Sequence, residues 1–572
     1  MKTYLIIILL SLNWLVSQGQ SLDWVFNVGV LNQECEAQAL VEDDAGNIYI
    51  AGYFAATSAD FDPGPGTHIL TNPITSEFVR DVYFAKYSPD GELIFAHELN
   101  PNFGEVTAMQ INADGDILIT GVFRGLADFD FSDNVALLSS MGNIRQDFFL
   151  AKYDADGNYI WAFNLPIEAI GSFVDQGLAT DENNNIYLTG QFRGAVDFDL
   201  GDNVNTLTAS GESQQCFVAK YSNDGQFLWA FSLDAAEYSR GKDIIIGNED
   251  CLYITGGFSG SADFDPSEST TILDDGGIFV AKYNLDGGLI WAFDMNGETP
   301  TWPLTEGAEI ALDEAGNIYL AGHHSTGIDI DPGPETLELN GSNALLAKYD
   351  SDGNIQWGFS LGGGTGINAV NDLQVVGNNL FIVGAYSGVA DFDPGPEEAM
   401  LDAVQFNKVY VASYNTDGAY SWAFDLKGEE AAHGEEIYVS GSDYFYMTSR
   451  FLGTVDFDPS DAIFQLNSTQ WGWDFSVAKY QLGPTSTYKH SERLGNIKVF
   501  PSPVRDVLSI DLNDNLSLVQ VDIFNARGEL VKSEDIAQLS GYSIDVSTLS
   551  AGTYFVRLST ADGFTTTPFL KL

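Results

Sequence analysis

Basic residues are scarce in this chain. Against 81 aspartates and glutamates it has only 24 lysines and arginines, which gives a formal net charge of -57 over 572 residues. Such a surface repels the phosphate backbone of nucleic acids and anionic bilayers, so nucleic acid is excluded as a partner. The acidity suits a cation, a basic partner or a salty exterior, although its commonest role is to keep a protein soluble.

Cysteine is equally rare. Cys35, Cys216 and Cys251 are too few and too widely spaced for a disulfide framework or a metal site, which leaves room for one disulfide at most. Packing must therefore hold the fold, and the chain is 45% apolar and 13% aromatic. The length exceeds what one compact core usually supports, so we expect two or more units.

Long apolar runs are missing except at the start of the chain. Lys2 gives a positive beginning, Tyr4 to Val16 form a short apolar run, and SQGQ supplies small or polar residues for cleavage near Gln20. This run is too short for a membrane helix and nothing later approaches about 18 apolar residues, so no membrane span is expected. Residues 1–20 are therefore predicted to be a signal peptide that is cleaved during export.

Internal sequence repeats, by contrast, are abundant. The motif Asp-Phe-Asp, or Asp-Ile-Asp in one copy, occurs seven times at spacings of 62 to 69 residues. Its paired aspartates are Asp60 and Asp62, Asp128 and Asp130, Asp197 and Asp199, Asp263 and Asp265, Asp329 and Asp331, Asp391 and Asp393, and Asp456 and Asp458. A second motif, Ala-Lys-Tyr or Ala-Ser-Tyr, follows each copy of the first and begins at Ala85, Ala151, Ala219, Ala281, Ala347, Ala412 and Ala478. Seven phased copies indicate a repeat architecture.

Six copies continue through an Asp-Gly turn into a strand that resembles Trp-Ala-Phe, but the copy at Ala478 does not. The missing strand stands at the other end of the chain, where LDWVFNV carries Trp24 and Phe26 in the right pattern. A strand borrowed from the N-terminus closes a ring, whereas an open solenoid caps its ends. Alternating apolar residues and Asn-Gly or Asp-Gly turns predict four strands per copy. We therefore expect an all-β fold in which residues 21–480 form a seven-bladed β-propeller.

Units such as DEAGNIYLAG followed by LLAKYDSDGNIQW resemble the SBBP family of β-propeller repeats. The resemblance covers nearly all of residues 37–480 and rests on the phasing of its copies, because each single motif is loose. It implies the propeller fold, and it brings no common activity with it.

A different pattern begins after residue 480. Residues 481–495 are polar and lack periodicity, so they are predicted to be a linker, and residues 496–572 predict a small β-sandwich. FPSPVRDVLSI at Phe500, DIFNARGELV at Asp522, LSAGTYFVRL at Leu549 and the Lys571-Leu572 terminus resemble the type A C-terminal sorting domain of type IX secretion. Ser502 replaces the asparagine that is usual in the first motif. The resemblance implies recognition by the type IX machinery, and a secreted or surface-attached protein.

The loops that join one blade to the next differ from each other, while the Asp-Gly turns on the opposite face are nearly uniform. Binding is therefore expected on the variable face or at the mouth of the central channel. Tyr238, Arg240, Trp302 and His433 are the candidate contacts for an unknown protein or glycan ligand, each with loop packing as its alternative.

Within a strand, Asp60 and Asp62 would share one face and Phe61 would point the other way. The fourteen aspartates are candidate calcium ligands on this basis, although strand punctuation explains their recurrence as well. No other cofactor is expected.

The sequence contains few features that would support an enzyme. The six histidines stand in no metal or triad motif, and there is no nucleophile elbow and no Gly-rich phosphate loop. Whether the chain is an enzyme stays open. The sequence favours an exported binding or scaffold module, with a polysaccharide-active lyase or glycosidase as the alternative.

Overall fold

The computed structural model describes residues 20–30, 33–72, 79–141, 145–169, 177–209, 213–274, 276–296, 306–324, 327–340, 343–362, 368–428, 430–460, 462–469 and 472–483 of the longer part of the chain. Further on it describes 498–500, 504–505, 507–511, 518–525, 530–535, 543–550, 552–560 and 563–571. The predicted signal peptide up to residue 19, Trp302 and most of the predicted linker lie outside these residues. The chain divides into two compact units, Met1–Gly483 and Pro484–Leu572.

All regular structure in the described residues is β-strand, and none of it is helix. Accordingly, a helix long and apolar enough to cross a membrane does not occur in this part of the chain. The three cysteines are buried and unpaired, so the one disulfide that the sequence allowed does not form among them.

The described part of the first unit contains seven four-stranded antiparallel sheets, together with small two- and three-stranded sheets. From the inner to the outer strand, sheet 1 contains Cys35–Glu42, Ile48–Phe54, Asp81–Tyr87 and Leu93–Glu98; sheet 2 contains Phe103–Ile111, Ile117–Arg124, Gln146–Tyr153 and Tyr159–Ala169; and sheet 3 contains Gly177–Thr180, Ile186–Phe192, Gln215–Tyr221 and Phe227–Leu233. Sheet 4 contains Tyr238–Gly247, Cys251–Ser259, Gly277–Asn284 and Leu289–Asn296, and sheet 5 contains Glu306–Leu312, Ile318–His324, Asn343–Tyr349 and Ile355–Leu361. Sheet 6 contains Asn368–Val376, Asn379–Asp391, Met400–Asn415 and Tyr420–Asp425, and sheet 7 contains Ala432–Ser440, Tyr444–Phe451, Asp474–Gln481 and Ser21–Val28.

The inner strands form a closed cycle. Each contacts the inner strand of the next sheet, and that of sheet 7 contacts that of sheet 1. The outer strand of sheet 7 is Ser21–Val28, which pairs antiparallel with Asp474–Gln481 and places Val25 opposite Ala478. The predicted closure by the N-terminal strand is therefore confirmed. Sheets arranged around such a cycle form a β-propeller.

Neighbouring sheets are joined at the Asp-Gly turns by recurring contacts. Lys86 of sheet 1 donates to the carbonyl of Ala155 in the turn of sheet 2 at 3.0 Å. One sheet further on, the Trp161 indole N–H donates to the carbonyl of Asn223 at 3.3 Å and its ring lies against Gly225. Gly225 has a φ of +74°, so the turn needs glycine both for its backbone and for the close approach of the ring. These contacts fix each sheet against the next.

The loop between the second and third strands of each sheet carries the Asp-Phe-Asp motif on a short hairpin. In sheet 1 the hairpin strands are Ser58–Asp60 and Ile69–Thr71, and the first strand ends at the first aspartate. The corresponding hairpins are Leu126–Asp128 with Leu137–Ser139, Ala195–Asp197 with Thr206–Thr208, Ala262–Asp263 with Ile272–Leu273, Ile328–Asp329 with Glu338–Leu339, and Thr454–Asp456 with Gln465–Asn467 and Lys427–Gly428; in sheet 6 the hairpin continues the long second and third strands. The expectation that both aspartates lie within one strand was wrong, because Asp62 already belongs to the loop.

The central residue of the motif is buried as expected. Phe61 has no exposed surface, and its six counterparts are at most 2% exposed. In six sheets the buried tyrosine of the Ala-Lys-Tyr or Ala-Ser-Tyr motif donates to the carbonyl of this residue, as Tyr87 does to Phe61 at 2.9 Å. The motif therefore anchors each hairpin to its own sheet.

The described part of the second unit consists of two antiparallel sheets. One contains Lys498–Phe500, Val507–Asp511 and Ser543–Asp545, and the other contains Leu530–Asp535, Leu518–Asn525, Gly552–Thr560 and Gly563–Lys571. Leu508 and Ile544 of the first sheet share one buried cluster with Ile523 and Val556 of the second. The two sheets thus enclose a common core.

Candidate functional site

The fourteen aspartates of the repeated motif build the hairpin loops. The Oδ1 atom of Asp60 accepts hydrogen bonds from the backbone N–H groups of Asp62 at 3.1 Å and His68 at 2.8 Å, and Asp62 Oδ1 accepts one from Gly64 at 2.7 Å. In each of the other six copies, the first aspartate accepts hydrogen bonds from the backbone N–H groups two and eight residues later, and the second aspartate accepts one from the N–H group two residues later. These copies are Asp128 and Asp130, Asp197 and Asp199, Asp263 and Asp265, Asp329 and Asp331, Asp391 and Asp393, and Asp456 and Asp458. Their recurrence is explained by loop construction.

Metal binding at these aspartates stays a prediction. Within the described ranges, no group of three or more histidine, cysteine, aspartate or glutamate residues is arranged to hold a metal ion. Calcium requires six to eight oxygen ligands, and each pair supplies two carboxylates with one oxygen already bonded to backbone amides.

Three of the four predicted ligand contacts are described. Tyr238 and Arg240 lie on the inner strand of sheet 4, and His433 lies on the inner strand of sheet 7. All three lie near the start of their inner strand. The inner strands start on the same face of the unit as the hairpins, and we call this face the loop face. Trp302 is outside the described residues.

Arginine is concentrated on the loop face. Between residues 21 and 483 the chain has six arginines, namely Arg80, Arg124, Arg145, Arg193, Arg240 and Arg450. Each lies within two residues of the loop-face end of an inner, second or third strand. The lysines of the repeat stand at the opposite ends, where Lys86 and its counterparts bond the turns of the next sheet. The arginines and the lysines of the Ala-Lys-Tyr motif thus lie at opposite ends of the strands, while Lys242, Lys408 and Lys427 stand toward the loop face.

Three of these arginines lie on aromatic rings in sheets 7, 1 and 2. The guanidinium carbon of Arg80 is 4.2 Å from the ring centre of Tyr53 and 5.6 Å from that of Phe103. Arg124, which pairs with Phe103 across the strands, is 4.9 Å from the same ring. Phe103 is therefore flanked by two guanidinium groups. Arg450 stands 5.3 Å from the Trp473 ring. We call Arg80, Arg124, Arg450, Tyr53, Phe103, Trp473 and His433 the arginine–aromatic cluster.

Glutamates position the guanidinium groups. Arg80 forms ion pairs with Glu34, at 3.1 Å, and with Glu105, while 23% of its side chain stays exposed. Arg450 forms ion pairs with Glu36 and, at 2.9 Å, with Glu435, and 32% of its side chain is exposed. The Glu36–Arg450 contact joins sheet 1 to sheet 7, and Glu36 is paired with Tyr53 across the strands of sheet 1. The cluster is thus one network over three sheets.

The cluster offers distinct proton donors and acceptors. Burial, and then the charge of Arg450, lower the pKa of His433 to about 4, so its imidazole is neutral at neutral pH. His433 meets the Trp473 ring edge-on at 5.6 Å between ring centres. Burial, helped by Glu36, raises the pKa of Tyr53, which keeps its hydroxyl and donates to Glu34 at 3.2 Å. The partly exposed imidazole of His433 can accept a hydrogen bond or a proton from a polar ligand, whereas the Tyr53 phenol is only 1% exposed.

A second group of carboxyls lies on the inner strands of sheets 4 to 7. Asp243, Glu309 and Asp372 occupy corresponding positions after a bulge in their strands. Asp243 accepts a hydrogen bond from the backbone N–H of Ile310 in sheet 5 at 3.0 Å, and Asp372 accepts one from Ile437 in sheet 7 at 2.8 Å. These carboxyls join inner strands of different sheets.

Burial is the main cause of their altered pKa values. It raises the pKa of Asp243 and of Asp372 to about 6. Burial and the nearby charges of Asp243 and Asp372 raise the pKa of Glu309 as well, although part of its side chain stays accessible to solvent. The pKa of Glu436 is raised for the same reasons. These carboxyls therefore keep their protons to higher pH than free carboxyls do.

Of the seven cluster residues, only His433 was singled out from the sequence. The missed signal was positional: every arginine between residues 21 and 483 falls at the same end of its strand, which becomes visible once the repeats are aligned. The glutamate partners could not be assigned in this way, because Glu36 and Arg450 are 414 residues apart.

The second unit matches a known family. Residues 498–571 match the family of secretion system C-terminal sorting domains. The sorting domain that the motifs at Phe500, Asp522 and Leu549 predicted is therefore confirmed. It implies handling by the type IX secretion machinery and delivery to the exterior or to the outer cell surface.

Two curated proteins are similar to longer stretches of the chain. An uncharacterized WD repeat-containing protein of Acanthamoeba polyphaga mimivirus is 22% identical over 509 residues, which cover 76% of this chain and 36% of that protein. An ulvan lyase of Nonlabens ulvanivorans is 23% identical over 288 residues, which cover 50% of this chain and 45% of the lyase. The chain thus spans less than half the length of either relative.

Solved structures with a similar arrangement include two lyases. An ulvan lyase from a new family of polysaccharide lyases has a TM-score of 0.38 and 13% identity, over 78% of this chain and 95% of its own. A catalytically inactive virginiamycin B lyase from Staphylococcus aureus, solved with quinupristin, has a TM-score of 0.35 and 10% identity, over 80% of this chain and 99% of its own. Similarity this low does not identify an activity.

Proposed function

We propose that the chain is an exported binding protein whose arginine–aromatic cluster binds a polysaccharide outside the cell. In this proposal the seven sheets are the blades of one seven-bladed propeller, residues 1–20 are removed on export, and an Ig-like sandwich directs type IX secretion. The observation that carries it is the convergence of unrepeated arginine, aromatic and histidine side chains from three sheets at the loop face.

The chemistry of the cluster suits sugars. Paired guanidinium and carboxylate groups bond hydroxyls as donors and acceptors, and the partly exposed Trp473 ring offers apolar surface to a pyranose, whereas Tyr53 and Phe103 are buried beneath the guanidinium groups. The ion pairs hold Arg80 and Arg450 in place before a ligand arrives, which lowers the entropic cost of binding. Because acids accompany the arginines, the cluster can bind uncharged sugar units as well as uronates.

A polysaccharide lyase is the second candidate, and His433 is the specific observation in its favour. A lyase removes the proton next to a uronate carboxylate, for which it needs a neutral base and a cation at that carboxylate. His433 is neutral and lies beside Arg450. The similarity to the ulvan lyase of Nonlabens ulvanivorans points the same way.

One set of samples separates the two functions. The full chain is run by affinity electrophoresis through gels that contain ulvan, alginate, pectate or dextran, and the same mixtures are followed for the ultraviolet absorbance of an unsaturated uronate. Retardation without new absorbance supports binding. New absorbance that is lost in His433→Ala, with retardation kept, supports the lyase. Free migration through all four gels with no absorbance contradicts both.

A further inference from the structure

The interface between sheets 1 and 2 departs from the pattern that the other six interfaces share. At those six, a phenylalanine of the outer strand packs on the motif tyrosine of the next sheet, with ring centres 4.7 to 5.6 Å apart. In sheet 1 this phenylalanine is replaced by His97. The residue after the second aspartate of the hairpin is proline or leucine in six sheets, and in sheet 2 it is Phe131.

These two replacements change the packing. Phe131 stacks on His97 with ring centres 4.5 Å apart and on Tyr153 at 5.1 Å, so it occupies the place between the outer strand and the tyrosine. The Tyr153 hydroxyl is buried and has no hydrogen-bond partner within the described residues, whereas the other six motif tyrosines donate to a hairpin carbonyl. The regular anchoring of the hairpin is thus lost at this interface.

A groove of about 500 Å³ lies at the same place. Its aromatic wall is the His97–Phe131 stack, and Leu70, Leu126 and Leu137 add apolar surface. Leu126 and Leu137 are each more than half exposed, so the groove is open to solvent. A volume of this size is typical of sites for small ligands. None of the residues that line it belongs to the arginine–aromatic cluster.

The charges in the groove have one sign. Glu98, Asp128 and Asp130 line it, and no lysine or arginine does so among the described residues. Burial, and then His68, lower the pKa of His97 to about 4, so the histidine adds no positive charge at neutral pH. The ring faces of His97 and Phe131 are covered by each other and by Phe95 and Tyr153, so the groove offers apolar walls and three carboxyls, which together complement a positive charge carried on an apolar arm.

We propose that the groove between sheets 1 and 2 binds an organic cation, namely an alkylammonium group with an apolar arm. The arm lies along the leucines, and the charge lies within reach of the carboxyls. This goes beyond polysaccharide binding at the cluster, and it rests on different residues. A free diamine and a lysine side chain of a peptide share this chemistry.

Calorimetric titration of the full chain tests the proposal, with cadaverine, N-acetyl-lysine amide and 1-pentanol as probes. We expect either amine to bind and 1-pentanol not to bind. Tighter binding of cadaverine would indicate a free diamine as the ligand, and tighter binding of N-acetyl-lysine amide would indicate a lysine side chain of a peptide. Added salt weakens the binding. The double variant His97→Phe/Phe131→Pro restores the packing of the other interfaces, removes the stacked wall of the groove, and weakens amine binding about tenfold or more.

Arg124→Ala, which alters the cluster and not the groove, keeps full amine affinity and separates this proposal from polysaccharide binding. The thermal midpoint of each variant shows that it folds. Three results would overturn the proposal: no heat with either amine, equal binding of 1-pentanol, or unchanged amine affinity in the folded double variant.

Discussion

The Trp24 indole donates a hydrogen bond to the carbonyl of Pro89, 65 residues further along the chain, at 3.1 Å. Its ring also lies against Gly91 and is 5.8 Å from that of Tyr446. Trp24 belongs to sheet 7 and Pro89 to the turn of sheet 1, so this contact joins the last sheet to the first. It repeats the contact between Trp161 and Asn223 inside the ring. The closing interface is therefore built like the others.

Trp24→Ala is expected to destabilise the first unit by about 2–3 kcal/mol. Core tryptophans cost more when truncated, but Trp24 keeps part of its surface exposed. Denaturant unfolding followed by far-ultraviolet circular dichroism measures the loss. Asp23→Ala, at the exposed neighbouring residue, should leave the midpoint almost unchanged. Equal midpoints for Trp24→Ala and wild type would show that the Trp24 contacts add nothing to stability.

Asp197 distinguishes a loop built by hydrogen bonds from a metal site. Its Oδ1 accepts from the amides of Asp199 and Asn205 at 3.1 and 2.8 Å. Asp197→Asn keeps an acceptor oxygen and should unfold like the wild type, whereas Asp197→Ala should lose about 1–2 kcal/mol. Thermal midpoints are compared in calcium and in chelator, with exposed Asp202→Ala as the control. A calcium-dependent midpoint that disappears in Asp197→Asn would instead establish a calcium site.

The architecture was predictable because its determinants are local and repeated. The turns, the strand alternation and the position of Trp24 are readable within each copy, and the pairing of Val25 with Ala478 agrees with them. The hairpin end was misjudged because Asp60 terminates its strand by accepting the amide of His68, eight residues on. The cluster was missed because its contacts join distant segments, as between Arg450 and Glu36. His97 and Phe131 could have been found by asking which copies break the repeat.

The inner-strand carboxyls should make stability fall as pH rises. The folded state raises the pKa of Asp243 and Asp372 to about 6 and that of Glu309 in the same direction. Such groups contribute stability below their unfolded pKa values, about 4, and lose it as pH rises through the folded values. A folded-state pKa that lies one pH unit above the unfolded pKa lowers the free energy of unfolding by about 1.4 kcal/mol at any pH above both.

Glu309→Gln tests this directly, because glutamine keeps the size and removes the charge. The variant should gain thermal stability over the wild type at pH 8, and the gain should shrink as pH approaches 4. Glu335→Gln, at an exposed position in the hairpin loop of the same sheet, is the control and should show no such trend. A Glu309→Gln midpoint below that of the wild type at pH 8 would refute the electrostatic argument.

Polysaccharide binding at the arginine–aromatic cluster is tested most directly by comparing two loop-face arginines. Arg124 belongs to the cluster and stacks on Phe103, whereas Arg145 is exposed and lies outside it. Dissociation constants are measured by calorimetry for wild type, Arg124→Ala and Arg145→Ala with the polysaccharide that retards the wild type most. Binding at the cluster predicts about a tenfold loss for Arg124→Ala and no change for Arg145→Ala. Equal constants for all three proteins, or a wild type that no polysaccharide retards, would contradict it.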